Sequence, residues 1–418
     1  MRVLWIINMV LPSVAKALDL KTSFSGGWLV DYANKLSADP DIELATMTYA
    51  NVPNDMDETV LGIRNFIFAG GGKKLLLDNK QTIKDCQKVI DEFKPDIIHI
   101  HGTEYSIGSS MLKTDNKIPT IVTIQGILSR LACEYFGGIP FTEVLAMSSL
   151  KGYLKLKAPV FYKMLFTKNA QREKFVLGNV KYVTGMSIWD KSFMLSVNPK
   201  LKYYKFNYSL REEFYNADKW DYDKINKFTV YTGAATYPLK GLHNLIKAIS
   251  IVKSKYPQVK LLVPVNSNNT KKANSYEKFI LKLVKKLGLE ENIEFIGRKN
   301  SDEVAKILAK SHVCVIPSSM EGTPATMCEA MMIGTPGICS YRGGMTDLLK
   351  DGESGFFYDF PEYPVLAGRI IQLFEDENLC KKFSINARKD AETRHNRETN
   401  YSQLKSIYDE VVKENNNA

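Results

Sequence analysis

Short apolar runs alternate with amphipathic stretches along most of this chain. In the N-terminal half, RVLWIIN (2–8), IELATMTYA (42–50), DIIHIHG (96–102), TIVTIQG (120–126) and NVKYVTGMS (179–187) read as buried strands, rich in β-branched residues and bounded by turn residues. Between them, GGWLVDYANKLSA places Leu29, Tyr32, Ala33 and Leu36 on one helical face, and DCQKVIDEFKP reads as a helix stopped by Pro95. The alternation then restarts. FTVYTGA, VKLLVPVN, IEFIG and VCVIPSS are strands, separated by the helical stretches KGLHNLIKAISIVKSKYP, SYEKFILKLVKKLGL and SDEVAKILAKS. Strands joined by helices of this length predict parallel sheets, so the fold class is α/β: two Rossmann-like, doubly wound domains facing a central cleft. The Tyr-, Asn- and Asp-rich stretch 202–227 is the expected connection, which gives an N-terminal domain at 1–205 and a C-terminal one at 206–395. Ligands of open α/β sheets bind beyond the carboxyl ends of the strands, so the site is expected between the two domains.

At 418 residues the chain is too long for one core, and 44% hydrophobic with 24% charged residues is the composition of a globular protein. The net charge of +10 favours anionic partners. Nucleic acid is excluded as a partner, because no zinc-finger spacing, zipper or aromatic RNA-reading motif accompanies the basic excess. Cys86, Cys133, Cys314, Cys328, Cys339 and Cys380 form no CxxC pair and are expected as buried, reduced thiols, pointing to the cytoplasm. The first residues imitate a short secretory peptide, but Pro12 interrupts the apolar run early, and VLWIIN is better used as the first strand. No later run is apolar and long enough to span a bilayer.

The chemistry concentrates in VIPSSMEGTPATMCEAMMIGTPGICS, 315–340. A strand ends at Pro317, a loop follows, and a helix is predicted to start near Pro324, a favoured first-turn residue. Glu321 lies in the loop and Glu329 on the helix, so two carboxylates address one region from different elements. A helix N-terminus offers unpaired backbone N–H groups to a pyrophosphate, and carboxylates accept hydrogen bonds from sugar and ribose hydroxyls. His99 and His101 alternate on one strand and face the same side, without the partners of a metal site.

The ordered set of motifs resembles the family 4 (group 1) retaining glycosyltransferases of GT-B architecture, in particular a bacterial type that builds surface polysaccharide. The resemblance rests on Glu321 and Glu329, the EAM that follows, Gly334-Thr335-Pro336, GGMTDLL (343–349) and DGESGFFY (351–358). It extends upstream to Phe295-Ile296-Gly297, Val315-Ile316-Pro317-Ser318, Lys240-Gly241-Leu242, Gly26-Gly27 and DIIHIHG. It implies that Glu321 contacts the transferred sugar, Glu329 the ribose, and Lys240 the departing diphosphate. Gly322, Thr323, Pro324, Ala325 and Thr326 would seat the donor, helped by backbone N–H groups of Gly343, Gly344 and Met345. Gly26 and Gly27 would allow close approach of the first loop, and the base would sit near Gly297 and Arg298. Gln125 joins Glu321 and Lys240 as a catalytic candidate, and His101 and Glu104 are the candidates on the acceptor side. The resemblance also implies a C-terminal helix (396–418) that crosses back to the first domain.

Two positions depart from the pattern. Gly233-Ala234-Ala235-Thr236 lacks the Arg that usually accompanies the lysine, which makes Arg298 a candidate substitute. Gln125 stands where many members carry a His, and Gln can hydrogen-bond a sugar but cannot carry a proton near neutral pH. The expected reaction moves a hexose from a UDP- or GDP-sugar to a saccharide or lipid-linked acceptor, with no cofactor and no essential metal. The rivals are a sugar-nucleotide epimerase of the same architecture and a non-catalytic nucleotide-sugar-binding protein. A nicotinamide enzyme would need a Gly-rich fingerprint after the first strand, and MVLPSVAKALD has none. The stretch 151–174 combines five lysines up to Lys168 with Tyr and Phe, and fits either a patch for an anionic membrane surface or a solvated helix. The first reading places the protein peripherally on the inner face of the plasma membrane.

Overall fold

The computed structural model describes residues 1–21, 27–71, 79–233, 236–265 and 273–417, which form two compact units. Unit 1 contains Met1–Leu128, Lys168–Arg211 and His395–Ala418; unit 2 contains Ser129–Thr167 and Glu212–Arg394.

Unit 1 is built on eight strands: β1 (Arg2–Ile6), β2 (Glu43–Ala50), β3 (Met56–Val60), β4 (Ile63–Ala69), β5 (Ile97–His101), β6 (Thr120–Thr123), β7 (Tyr182–Gly185) and β8 (Lys202–Lys205). Their order is β3-β4-β2-β1-β5-β6-β7-β8, parallel throughout except for the antiparallel edge pair β3–β4. The central strands are apolar on both faces because helices cover both. Leu4, Ile6, Ile98, Ile100 and Val122 pack with Phe93 and Val176 in one core. The helix Arg397–Asn416 belongs to this unit and is tied down from inside. Its buried Tyr408 hydroxyl accepts from Trp5 Nε1 (2.9 Å) and shares a 2.6 Å hydrogen bond with His99 Nδ1. On its surface Lys405 pairs with Asp39 (2.7 Å) and Glu414 with Lys202 (2.8 Å).

Unit 2 carries β9 (Asn226–Thr232), β10 (Lys260–Val263), β11 (Ile293–Phe295), β12 (Ser311–Ile316), β13 (Gly337–Ser340) and β14 (Phe356–Tyr358). The sheet is wholly parallel, in the order β11-β10-β9-β12-β13-β14. Both sheets reverse strand order beside their first strand, the doubly wound topology expected from the alternation.

The domain limits read from the sequence need two corrections. Ser129–Thr167, placed in the N-terminal domain, belongs to unit 2. His243 Nε2 bonds the Gly137 carbonyl (2.8 Å), Ser319 Oγ donates to the Glu134 carbonyl (3.0 Å), and the Tyr135 ring stacks on Tyr237. The supposed connection 202–227 is also not all linker. KYYK is the edge strand β8, paired in parallel with β7, and unit 1 runs on to Arg211. Of the six cysteines all are reduced and five are buried, while Cys133 is exposed. Among the described residues no helix is long and apolar enough to cross a membrane.

Candidate active site

β9 and β12 lie side by side at the centre of the second sheet, and their C-terminal loops are locked together. After β9 the chain makes a single 3-10 turn, Pro238–Lys240, and enters the helix Leu242–Lys255 through Gly241 at φ +68°. That left-handed residue must be glycine twice over. L side chains disfavour the conformation, and a Cβ there would fall on the Pro317 carbonyl oxygen at the end of β12. Ser319 completes the latch by donating its backbone N–H (2.8 Å) and its hydroxyl (3.1 Å) to the Leu239 carbonyl.

The latch sets Lys240 directly against Glu321. The ammonium and carboxylate form an ion pair, and Ser318 Oγ donates to the same Glu321 Oε1 at 3.0 Å. Both side chains keep a window to solvent, 26% exposed for Lys240 and 15% for Glu321, so a ligand can reach them. Burial works against the Lys240 charge, but the Glu321 carboxylate outweighs it with help from Tyr237, and the ammonium is held above its ordinary pKa. The Tyr237 ring lies 5.7 Å from Lys240 Nζ, and burial pushes its phenol up. The result is a cation and a fixed hydrogen-bond acceptor held side by side.

The glycine-rich turn after β13 closes the other side. Gly343 has φ +60°, and a Cβ on it would strike the Glu321 carbonyl oxygen. Gly344 N–H donates to that same carbonyl at 3.0 Å. This corrects one expectation: the Gly344 amide pins the Glu321 loop and is not turned toward a ligand. Met345 is fully buried beneath the turn. The helix carrying Glu329 is Ala325–Ile333, capped by Pro324, one residue later than predicted. Glu329 is 5% exposed among Met327, Cys328 and Ala330, so it is not a solvated surface charge. Gly233, at the end of β9, brings backbone close to this helix start, since a Cβ there would lie 2.6 Å from Thr326 Oγ1. Gly322 is buried and Thr323 half-buried in the loop between. Gly297 turns the chain at φ +71° after β11, and Arg298 follows it exposed to solvent. Ala234 and Ala235 lie outside the described residues, as does Gly26.

Unit 1 holds a second group of candidates. His101 is buried with both ring nitrogens unpartnered, between the rings of Trp5 (4.6 Å) and Trp28 (5.5 Å). Its neighbour His99 is instead saturated by Tyr408 and Thr123, a structural role. Burial depresses both imidazoles, His99 to about 3, so both are neutral. Glu104 is half-buried as a residue, yet its Oε2 is enclosed and has no hydrogen-bond partner. Burial pushes its carboxyl up to about 7. Gly102, at φ +98°, leaves room for that carboxylate, and Gln125 Nε2 donates to the His101 carbonyl at 3.4 Å. Gly27 opens the helix Gly27–Ala38, where a Cβ would meet the Arg211 side chain at 3.0 Å.

Several positioning residues carry no sequence signal. Ser318 was visible as the last residue of a strand-end motif but not as a partner of Glu321, and Tyr237 and Ser319 only as loop residues. Arg172 and Glu173 are buried neighbours on one helix. Arg172 donates to the Glu104 carbonyl (3.2 Å), and Glu173 accepts from Thr103 Oγ1 and the Leu128 N–H, both at 3.1 Å.

A lysine and a loop glutamate are thus joined over adjacent strands, with a glycine turn on one side and a carboxylate-bearing helix on the other. Residues 216–390 match the family described as glycosyl transferases group 1. These residues form a group 1 glycosyltransferase domain. The chain is 31% identical over 138 residues to an N-acetyl-alpha-D-glucosaminyl L-malate synthase of Bacillus anthracis, covering 33% of this chain and 36% of that one. It is 27% identical over 175 residues to the capsular polysaccharide biosynthesis glycosyltransferase CapM of Staphylococcus aureus, covering 42% and 44%. These matches span less than half the length of either relative. Similarity of fold covers almost everything. A sucrose-phosphate synthase of Thermosynechococcus elongatus superposes with a TM-score of 0.76 at 16% identity, over 99% of both chains. Anabaena HepE in complex with UDP-glucose gives 0.67 at 17% identity, over 98% of this chain and 100% of HepE.

Proposed function

We propose that this chain is a glycosyltransferase that moves a hexose from a nucleotide-diphosphate sugar to a saccharide or lipid-linked acceptor in the synthesis of cell-surface polysaccharide, with retention at the anomeric carbon. The observation that carries the proposal is the Lys240–Glu321 pair, fixed by the latch between the β9 and β12 loops. Breaking the bond between the anomeric carbon and the diphosphate oxygen builds negative charge on that oxygen. Lys240 is a preorganised cation for it, in a setting where little reorganisation is required. Glu321 is then released from part of its ion pair to accept hydrogen bonds from the sugar hydroxyls. The acceptor oxygen bonds to the anomeric carbon on the face the diphosphate leaves, and the acceptor proton passes to the departing phosphate oxygen. Glu329 holds the ribose, and the start of the helix Ala325–Ile333 faces the diphosphate.

In this reading no metal and no cofactor take part. UDP-sugars come first among the donors because HepE was solved with UDP-glucose, and GDP-sugars second. His101 and Glu104 form the acceptor-side group, their unpartnered polar atoms supplying sites for hydroxyls, and Gln125 is bonded beside them to the His101 carbonyl. The relative involved in capsule synthesis supports the surface-polysaccharide assignment, and the cytoplasm, at the inner face of the plasma membrane, is the proposed location.

The test is slow hydrolysis of UDP-, GDP- and ADP-sugars by the purified chain, followed through released nucleotide. Turnover of one donor, abolished in Glu321→Ala and in Lys240→Ala, is the expected result. Hydrolysis that survives both substitutions would remove the pair from the chemistry. Nucleotide binding without turnover, even with oligosaccharide acceptors present, would favour a non-catalytic binding protein.

A further inference from the structure

Seven of the fourteen exposed large hydrophobic side chains among the described residues fall between positions 141 and 164. Leu150, Leu154 and Leu156 are 77%, 78% and 65% exposed, and Phe141, Met164 and Tyr162 add to the same stretch. Such concentration is unusual, since exposed apolar side chains are ordinarily scattered singly. The stretch is also firmly held from within. Two short helices, Phe141–Ala146 and Leu150–Leu154, precede the longer helix that starts at Pro159. Val144, Ala158 and Pro159 are buried, Tyr153 donates to the Leu145 carbonyl (2.7 Å), and the Ser148 and Ser275 hydroxyls meet at 2.7 Å. The inner side is thus packed and satisfied, and the outer side presents leucines to water.

Charge decides what would cover them. From 141 to 168 the chain carries five lysines (151, 155, 157, 163 and 168) and one acid, Glu143. Lys155 and Lys157 are exposed next to the leucines, and Lys168 is exposed further along the longer helix. Two copies of this face would bring like charges together, whereas an anionic bilayer accepts both features at once. Ammonium groups settle among the phosphates and apolar side chains enter the acyl boundary. Lys157 and Tyr162 also line a pocket of about 350 Å³ with Tyr135, Phe166, Tyr237 and Tyr276, and Tyr237 is the ring beside Lys240.

We propose that the segment from Phe141 to Lys168 is a docking face for an anionic lipid bilayer. Its position brings a lipid-borne acceptor toward Lys240 through the aromatic pocket. That last step rests on the proposed transferase reading; the docking itself does not, because it needs no donor and no turnover.

The experiment is co-sedimentation of the full chain with vesicles of phosphatidylcholine alone and of equal parts phosphatidylcholine and phosphatidylglycerol, at low and high salt. Expected is binding to the mixed vesicles only, weakened by salt. The triple variant Leu150→Ser, Leu154→Ser, Leu156→Ser and the charge reversal Lys155→Glu, Lys168→Glu should each lower partitioning about tenfold or more. Neither should change the thermal midpoint or donor hydrolysis, since no substituted side chain is packed in the core or placed on the donor. Equal binding to both vesicle types, no binding, or binding indifferent to the variants would overturn the proposal. So would a dimer on sedimentation analysis that the leucine variant dissociates, because the face would then cover a second copy. Loss of donor hydrolysis in the wild-type chain would instead count against the transferase reading and leave vesicle binding standing.

Discussion

Two side chains show how position, and not residue type, determines chemistry here. Glu321 receives both Lys240 and the Ser318 hydroxyl on one oxygen. A hydrogen bond to an ionised group contributes about 1.5–3 kcal/mol when its partner is otherwise lost. Ser318→Ala is therefore expected to leave the fold intact and lower kcat/KM for donor hydrolysis by roughly tenfold or more, through misplacement of the carboxylate. Unchanged kinetics would show that Lys240 alone positions Glu321. Glu104 is the opposite case, a carboxyl with an enclosed oxygen and no cation to pair with. Because burial raises its pKa to about 7, the folded chain holds a proton that the unfolded chain has released above about pH 4.5. Its contribution to stability thus declines from pH 4.5 to 7 and levels off above that. Glu104→Gln should be close to neutral near pH 4.5 and stabilising by up to about 3 kcal/mol at pH 8. Urea denaturation of both proteins at the two pH values reads this directly, and a difference that does not grow with pH would mean the carboxyl finds charge compensation.

At the scale of elements, the β9 and β12 loops act as one piece because Gly241 lets two backbones touch. Alanine there would force a strained φ and drive a methyl group into the Pro317 carbonyl. Gly241→Ala should lower stability by about 2 kcal/mol or more and depress donor hydrolysis beyond that, since separating the loops separates Lys240 from Glu321. A variant as stable and as active as the wild type would mean the latch is incidental. The strands on either side of this junction were legible from their apolar runs, and so were the loop position of Glu321 and the helix position of Glu329. Other parts were not. The edge pair β3–β4 escaped notice because MDETV is polar, as an exposed edge strand tends to be. The lysine-rich Lys202–Lys205 was read as linker for the same reason. The membership of Ser129–Thr167 in unit 2 depends on single contacts such as Gly137 with His243, between residues far apart in the chain. No periodicity encodes such pairings. Nor does a pattern announce that a glycine amide, Gly344, will be spent on a neighbouring loop.

Across the whole molecule, four of the five histidines are held neutral by burial, and they are divided evenly between the units. His99 and His101 lie in unit 1, at about 3 and well below the ordinary value; His243 and His312 lie in unit 2, both at about 4. In the unfolded chain each titrates near pH 6.5. Above that pH none is charged in either state and their effect on stability is nil. As the pH falls below 6.5, unfolded imidazoles bind protons that the folded ones refuse, and stability is lost progressively down to the folded values. Each histidine contributes up to about 1.4 kcal/mol per pH unit within the window. Glu104 has the opposite sign over part of the same range, but it is one group against four. Stability should therefore fall steeply between pH 6.5 and 5, before most carboxylates begin to titrate, and the fall should involve both units. Glu104→Gln should make the slope steeper by about one proton, because the opposing group is gone. Urea midpoints at pH 7, 6 and 5, for wild type and Glu104→Gln, provide the measurement. A flat wild-type profile would require the buried imidazoles to be charged in the folded state, and no acid in the described structure is placed to pair with them.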